Sequence, residues 1–164
     1  MDSSAFVESL LVGWGRNADY AQRLVADLDE DQMVGQPAPG TNHPAWVFSH
    51  LHAYHPVLVA LLQGEACEDP KAHRFGMQSH PEADRSVYLP KQDLMNAFAA
   101  GHESVAEALQ RADDDALAAP MSIERWKPVF PQVSSCLGYL MLVHESTHLG
   151  QLSAWRRVQG LPSV

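Results

Sequence analysis

Apolar side chains recur at steps of three and four residues in four long segments, and this period constrains the fold more than any other feature. Such spacing gathers apolar residues on one face of an α-helix. Proline and glycine mark the segment ends, as at Pro44, Gly64 and Gly160. No convincing strand pattern interrupts the segments, so the sequence predicts an all-α four-helix bundle. The predicted helices cover residues 3–28, 44–63, 90–111 and 134–159.

Two long irregular stretches connect these helices. Glu65 to Leu89 has no sustained period, and a connection that long in a compact domain is usually a lid or a crossover. We expect a crossover between the second and third helices. Residues 113–132 are also irregular, but Trp126 and Phe130 predict that this loop packs onto the body. A chain of 164 residues can bury one core, so we expect a single domain over residues 1–164.

The charge balance excludes some classes of binding partner. Lys and Arg number 11 against 20 Asp and Glu, which gives a formal charge of −9 and excludes a basic surface for nucleic acid or anionic membranes. No run approaches the roughly 20 apolar residues of a membrane span, and no basic region opens a signal peptide. Cys67 and Cys136 make no disulfide framework and lack the spacing of metal ligands. These features predict a cytoplasmic protein.

His144 and His148 lie four residues apart on the predicted last helix, in the pattern H-E-x-x-H. Residues four apart share a helix face, so both imidazoles can bind one metal ion. Zinc proteases with this pattern take a third ligand from further along the chain. The 16 residues after His148 contain no His, Glu, Asp or Cys, which argues against a peptidase. A third ligand must therefore come from an earlier helix.

The second helix offers a third ligand in His50. His50 shares the apolar face with Trp46 and Tyr54, whereas His52 and His55 lie about 200° and 140° around the helix from it. Sites in bundles are built from inward side chains on facing helices, so we predict a metal triad of His50, His144 and His148. Core histidines without a metal are the alternative, but unpaired buried polar atoms cost roughly 1–3 kcal/mol each. Surface or capping positions are expected for the remaining histidines, His43, His52, His55, His73, His80 and His102.

These motifs resemble those of the DinB-like superfamily. The similarity covers nearly the whole chain. Its most specific part is the three histidines together with Gly150 and Gln151, which follow His148. In that family's second-helix motif a tryptophan precedes the first metal histidine by four residues, as Trp46 precedes His50. The segments that carry the resemblance are residues 37–40, 46–51, 144–152, 156–157 and 160–162.

The resemblance implies a bundle that binds one divalent ion, often nickel or zinc, through three histidines, commonly in a homodimer. Members of the family include a mycothiol-dependent maleylpyruvate isomerase and bacillithiol S-transferases, and many have no known activity. The resemblance therefore implies an enzyme that transfers a low-molecular-weight thiol to an electrophilic small molecule. The resemblance says nothing about contact with DNA, and the charge of −9 argues against such contact.

Two other functions remain open. One is a metal-dependent hydrolase in which bound water attacks the substrate and Glu145 is a candidate base. Glu145 lies about 100° around the helix from His144, however, so we favour a solvent-facing carboxylate or one that orients a histidine. The other is a metal-containing stress or binding protein without turnover. Gln151 shares the face of the histidine pair, and Arg156 and Arg157 can pair with an anionic substrate or, as we favour, complement the helix dipole.

Overall fold

The computed structural model describes residues 3–164, and their regular elements are helical apart from one isolated bridge between Pro120 and Gln132. The predicted all-α bundle is confirmed. A short helix that the sequence did not predict, α4 (Asp114–Ala118), begins where the Asp113 carboxylate accepts a hydrogen bond from the Ala116 amide at 2.9 Å. The long helices are α1 (Ser3–Val25), α2 (Pro44–Gln63), α3 (Lys91–Arg111) and a last helix made of α5 (Val133–Leu137), a π-helical segment (Gly138–His144) and α6 (Glu145–Val158).

The central helix is α2, and the predicted signals set its ends. His43 is the N-cap, because its Nδ1 accepts a hydrogen bond from the Trp46 amide at 3.2 Å, and Pro44 occupies the first turn. Gly64 ends the helix with φ of 68°, a left-handed conformation that glycine adopts without strain. Between these ends, 15 of the 20 residues are buried, so α2 is enclosed on nearly all sides.

By length and composition alone, α2 could cross a membrane. However, 78% of its most apolar 18-residue window is buried inside the protein. Its apolar side chains are covered by α3 and by the other helices, as in the core helix of a bundle. Two apolar clusters fill that core, one including Trp14, Leu58 and Met141 and the other including Phe48, Phe98 and Trp155.

The connection between α2 and α3 packs onto α2. It contains two short 3₁₀ turns, Pro70–Ala72 and Arg85–Val87. The Ser79 hydroxyl accepts a hydrogen bond from Trp46 Nε1 at 3.0 Å, which holds the connection against the N-terminal half of the helix. The second irregular stretch is also packed, because Trp126 is buried in the core as predicted.

The helix ends differ from prediction at α1. The helix stops at Val25, three residues before the predicted end, because the amide of Leu28 bonds to the Val25 carbonyl in a tighter turn. Gly13 lies where α1 meets the π-helical segment, and a Cβ there would approach Leu142 Cδ2 to 2.4 Å. Glycine therefore permits the close contact between these two helices.

Arg156 lies in the last turn of α6, where a cation complements the helix dipole as predicted, and it also joins the C-terminal ends of α1 and of the last helix. The side chain is 1% exposed, and its guanidinium donates to Asp27 Oδ1 at 2.6 Å and Oδ2 at 2.8 Å. It also donates to the carbonyl oxygens of Leu24 and Pro162 at 2.9 and 3.0 Å. These contacts leave it no role toward a substrate.

Candidate metal centre

The structure brings His50, His144 and His148 together. Each offers one ligand atom, and these three atoms lie within 4.8 Å of one another. Nε2 of His50 lies 3.1 Å from Nε2 of His144. One imidazole comes from α2, and the other two come from neighbouring turns of the last helix, as the four-residue spacing predicts.

Hydrogen bonds fix the orientation of two of these rings. Nδ1 of His50 lies 2.7 Å from the Phe75 carbonyl oxygen, and Nδ1 of His148 lies 3.0 Å from Gln151 Oε1. Because an oxygen of this kind can only accept, each Nδ1 carries the proton and each neutral ring presents an Nε2 lone pair. Asn42 Nδ2 donates to the same Gln151 oxygen at 3.0 Å, which holds the amide in place. Metal-binding histidines are commonly oriented in this way.

Burial keeps these imidazoles neutral. Burial, with smaller effects from neighbouring histidines, lowers the pKa of His50 to about 4 and the pKa of His144 to about 3. The pKa of His148 is also lowered by burial, although Gln151 opposes the shift. Neutral imidazole is the form that binds metal. Three such nitrogens fit zinc, nickel, cobalt or copper, and three protein ligands leave further coordination positions for a substrate.

Aromatic rings border this group of histidines. Trp46 stacks on His50 at 4.7 Å between ring centroids, and Tyr54 and Tyr139 lie 5.0 and 6.2 Å from the His144 ring. Trp46 and Tyr54 are buried, as predicted, but they also contact the candidate ligands. His144 and His148 are only partly buried, so the site opens to solvent on the side of the last helix.

Glu145 does not serve this triad in the structure. The side chain is 1% exposed, and its two carboxylate oxygens lie 3.1 and 3.0 Å from Nε2 of His102. Of the two positions that we favoured, the solvent-facing one is wrong, because α6 turns this residue into the core; the carboxylate does contact a histidine, but that histidine lies outside the triad. The carboxylate contacts a histidine on α3, which leaves it no contact for the role of base at the triad.

The placement of His55 and His102 also differs from prediction. Both were expected at the surface, yet they are 2% and 5% exposed. For His55 the prediction failed because the solvent-facing stripe of α2, which runs through His52 and Pro56, is narrow, and His55 lies beside that stripe, where α3 covers it at Gly101. For His102 a signal was present, since it lies four residues after Phe98 and three before Val105 on the apolar stripe of α3.

The other histidines lie closer to expectation. His43 caps α2 as predicted, although it is fully buried and its Nε2 also donates to the Glu82 carbonyl at 2.9 Å. His73 and His80 are exposed, and His52 is half-buried. The sequence reasoning missed Asn42 and the Phe75 carbonyl as partners of the candidate ligand set, and it named Gln151 without its bond to His148.

Comparison with known proteins agrees with this arrangement. No curated protein matches the sequence significantly. The model of the DinB superfamily matches residues 14–152, a span that includes all three histidines of the triad. The four long helices and the histidine group of this structure fit a metal-binding member of that family. The chain therefore belongs to the DinB superfamily.

Proposed function

We propose that this protein is a metal-dependent enzyme that activates a low-molecular-weight thiol and transfers it to an electrophilic small molecule, an S-transferase type of reaction. The observation that carries the proposal is the convergence of three neutral imidazoles, His50, His144 and His148, at a partly open site. Nickel or zinc is the ion that we expect there.

The chemistry of the donor set supports a nucleophile at neutral pH. A divalent ion lowers the pKa of a coordinated thiol or water. The protein's own contribution is to hold the rings of His50 and His148 through the Phe75 carbonyl and Gln151. The aromatic rings of Trp46 and Tyr54 give the site an apolar border that can contact the organic part of a substrate.

A thiol is a better nucleophile for this site than water. The group formed by the three histidines contains no carboxylate, and Glu145 bonds to His102 instead. A free thiol has a pKa of about 8.5, so it needs far less activation than water, whose pKa is about 15.7. A site without its own base is therefore better suited to a thiol than to hydrolysis.

We extend the proposal to the partners, the location and the oligomeric state of the enzyme. The charge of −9 supports a small-molecule substrate and no nucleic-acid or membrane partner. Cys67 and Cys136 are both free, which is compatible with a cytoplasmic location. Large apolar side chains are exposed on α1 and the last helix, at Val12, Tyr139 and Val143, and we propose that they contribute to a homodimer. Light scattering on the purified protein tests the dimer.

The test of the main proposal is a thiol-transfer assay. Protein loaded with zinc or with nickel is incubated with monochlorobimane and with mycothiol, bacillithiol or glutathione in turn. We expect conjugate formation above the uncatalysed rate with at least one thiol. The rate should be lost on chelation and in His148→Ala, because each removes the ion from the triad. His80→Ala is the matched control, since His80 is exposed on the connection before α3.

Three outcomes would contradict the proposal. A rate that is unchanged by chelator would show that the ion takes no part. Cleavage of esters or amides without any thiol would favour the metal-dependent hydrolase. Bound metal at the triad, with no turnover in the thiol-transfer assay or in the ester and amide assays, would favour a metal-containing binding or stress protein.

A further inference from the structure

A second group of ligating side chains lies inside the bundle, apart from the triad. It consists of His55 on α2, His102 on α3 and Glu145 at the start of α6, and all three are buried. One ligand atom from each lies within 4.8 Å of the other two. Three different helices therefore direct two imidazoles and one carboxylate to a single buried point.

Within the described part of the chain, no hydrogen bond explains why the His55 side chain is buried. Among the described residues, neither its Nδ1 nor its Nε2 has a hydrogen-bond partner, although the side chain is 2% exposed. A neutral imidazole has one donor and one acceptor, and leaving such groups unpaired in a core is costly. A cation bound by one of these nitrogens removes part of that cost.

The other two members of the group pair with each other. The two Glu145 oxygens lie 3.1 and 3.0 Å from Nε2 of His102, and the Asn17 side chain also hydrogen-bonds to this carboxylate. Neither partner carries a permanent positive charge. A buried carboxylate normally has a cation beside it, either a basic side chain or a metal. A metal ion bound by His55, His102 and Glu145 would provide that charge.

The surrounding residues shape this point. A Cβ on Gly101 would lie 2.0 Å from Nδ1 of His55, so the ring occupies space that only glycine leaves free. Trp14 stacks on His102 with 3.7 Å between ring centroids, and its Nε1 donates to the His102 carbonyl at 3.0 Å. These contacts hold both imidazoles in position before any ligand arrives.

A surface cleft lies beside His55. This cleft of about 500 Å³ between α2 and α3 is lined by His52, His55 and Gly101 among other residues. A metal site needs an entry path as well as suitable ligands. His55 is the one proposed ligand that lines the cleft, and no residue of the triad lines it, so we expect an ion to enter on the side of His55.

We propose that His55, His102 and Glu145 form a second metal site, which binds a divalent first-row transition ion such as Zn²⁺. Two imidazoles and a carboxylate are a common ligand set for such ions. His102 Nε2 lies 3.0 Å from the nearer Glu145 oxygen, close to the separation of roughly 3.3 Å between two ligands of a tetrahedral zinc ion. The inference does not depend on the thiol-transfer proposal, because its ligands are different side chains.

Metal counting on the full chain tests this site. Protein stripped with chelator is reloaded with Zn²⁺ or Co²⁺, passed through a desalting column and measured for metal per chain, with absorption spectra of the cobalt form. We expect two equivalents in the wild type and in the control His80→Ala. His55→Leu should bind one equivalent and His148→Ala the other, and the double variant should bind none. Leucine is apolar and similar in size, so the core around residue 55 stays filled.

Glu145→Gln provides a second variant in case leucine disturbs the fold. Glutamine retains the size and a hydrogen bond to His102 but lacks the charge, so we expect a loss of at least tenfold in affinity at the second site. Circular dichroism checks that each variant is folded. Full metal content in both folded variants would overturn the proposal, as would a wild type whose single equivalent is lost in His148→Ala. A single equivalent lost only in His55→Leu would support this site and contradict the triad.

Discussion

The two histidine groups on α2 differ in how the protein holds their nitrogens. In the triad, His50 donates from Nδ1 to the Phe75 carbonyl, and the site is partly open. Five residues later, His55 is enclosed, and neither of its nitrogens has a partner among the described residues. In the triad, hydrogen-bond partners orient the rings of His50 and His148. In the buried group, the position of His55 is set mainly by packing against Trp14 and Gly101.

If both groups bind metal as we propose, this difference suits two kinds of site. Oriented ligands beside solvent suit an ion that must also bind a substrate. An enclosed group of two imidazoles and a carboxylate suits an ion that joins three helices and stabilises their packing. The comparison predicts that variants near the triad change metal affinity and turnover, while variants in the buried group change mainly the stability of the fold.

Arg156→Ala tests whether metal content simply follows fold stability. The variant loses a buried guanidinium that bonds to Asp27 and two carbonyls, so we expect about 3 kcal/mol lower free energy of unfolding. Urea denaturation measures the loss. Metal per folded chain should stay at the wild-type value, because Arg156 contacts neither histidine group in these bonds. A parallel loss of metal would remove the basis for comparing the two groups.

His50→Ala and His144→Ala test the membership of the triad. Loss of an outer partner alone typically weakens metal affinity by about 10–100-fold, so loss of a ligand should cost more than about 100-fold. Titration of Zn²⁺ against a competing chelator measures the change. Retention of full affinity by His50→Ala would reject the triad, and His80→Ala, at an exposed position, serves as control.

Gln151→Ala tests the orienting contacts. The triad should bind Zn²⁺ about 10–100-fold more weakly, because His148 loses the acceptor that fixes its Nδ1 proton. Asn42→Ala should have a smaller effect, since it contacts the glutamine and not the histidine. Equal affinities in both variants and the wild type would show that this contact does not orient the ligand.

Leucine substitutions at His55 and His50, measured in the absence of metal, have the smallest predicted effects. The two substitutions should change the free energy of unfolding in opposite directions. In chelator, His55→Leu should raise the free energy of unfolding by about 1 kcal/mol, because two unpaired buried nitrogens are removed. His50→Leu should lower it by about 1 kcal/mol, because the Phe75 carbonyl loses its donor. Urea denaturation in chelator measures both changes, and the same sign for both would contradict the contrast between the two groups.

The triad could be predicted because each of its features has a sequence signature. His144 and His148 are four residues apart, so they share a face on any α-helix. His50 shares the apolar face of Trp46 and Tyr54, so a helix with one buried face is enough to predict that His50 points inward. His55 could not be placed in this way. It lies about 140° around α2 from His50, at the edge of a narrow solvent-facing stripe, and the sequence does not show that α3 packs over this edge.

Other parts of the site have no signature in residue type. The Phe75 carbonyl belongs to the backbone of a long connection, so any residue there could supply the same acceptor. Gly101 is the opposite case, because its identity matters and yet its reason is visible only when the His55 ring is seen against it. The ends of α2 were predictable because capping depends on local chemistry at His43, Pro44 and Gly64.

The π-helical segment Gly138–His144 has a consequence for how this protein can change over generations. A π turn holds one residue more than an α turn, and one residue corresponds to about 100° of rotation. Deleting a single codon there would leave Cys136 and Leu137 in place while turning His144, Glu145 and His148 away from their partners together. Gene-level insertions and deletions at this turn would thus move both histidine groups at once, and an alignment of relatives that ignores it would pair the wrong residues.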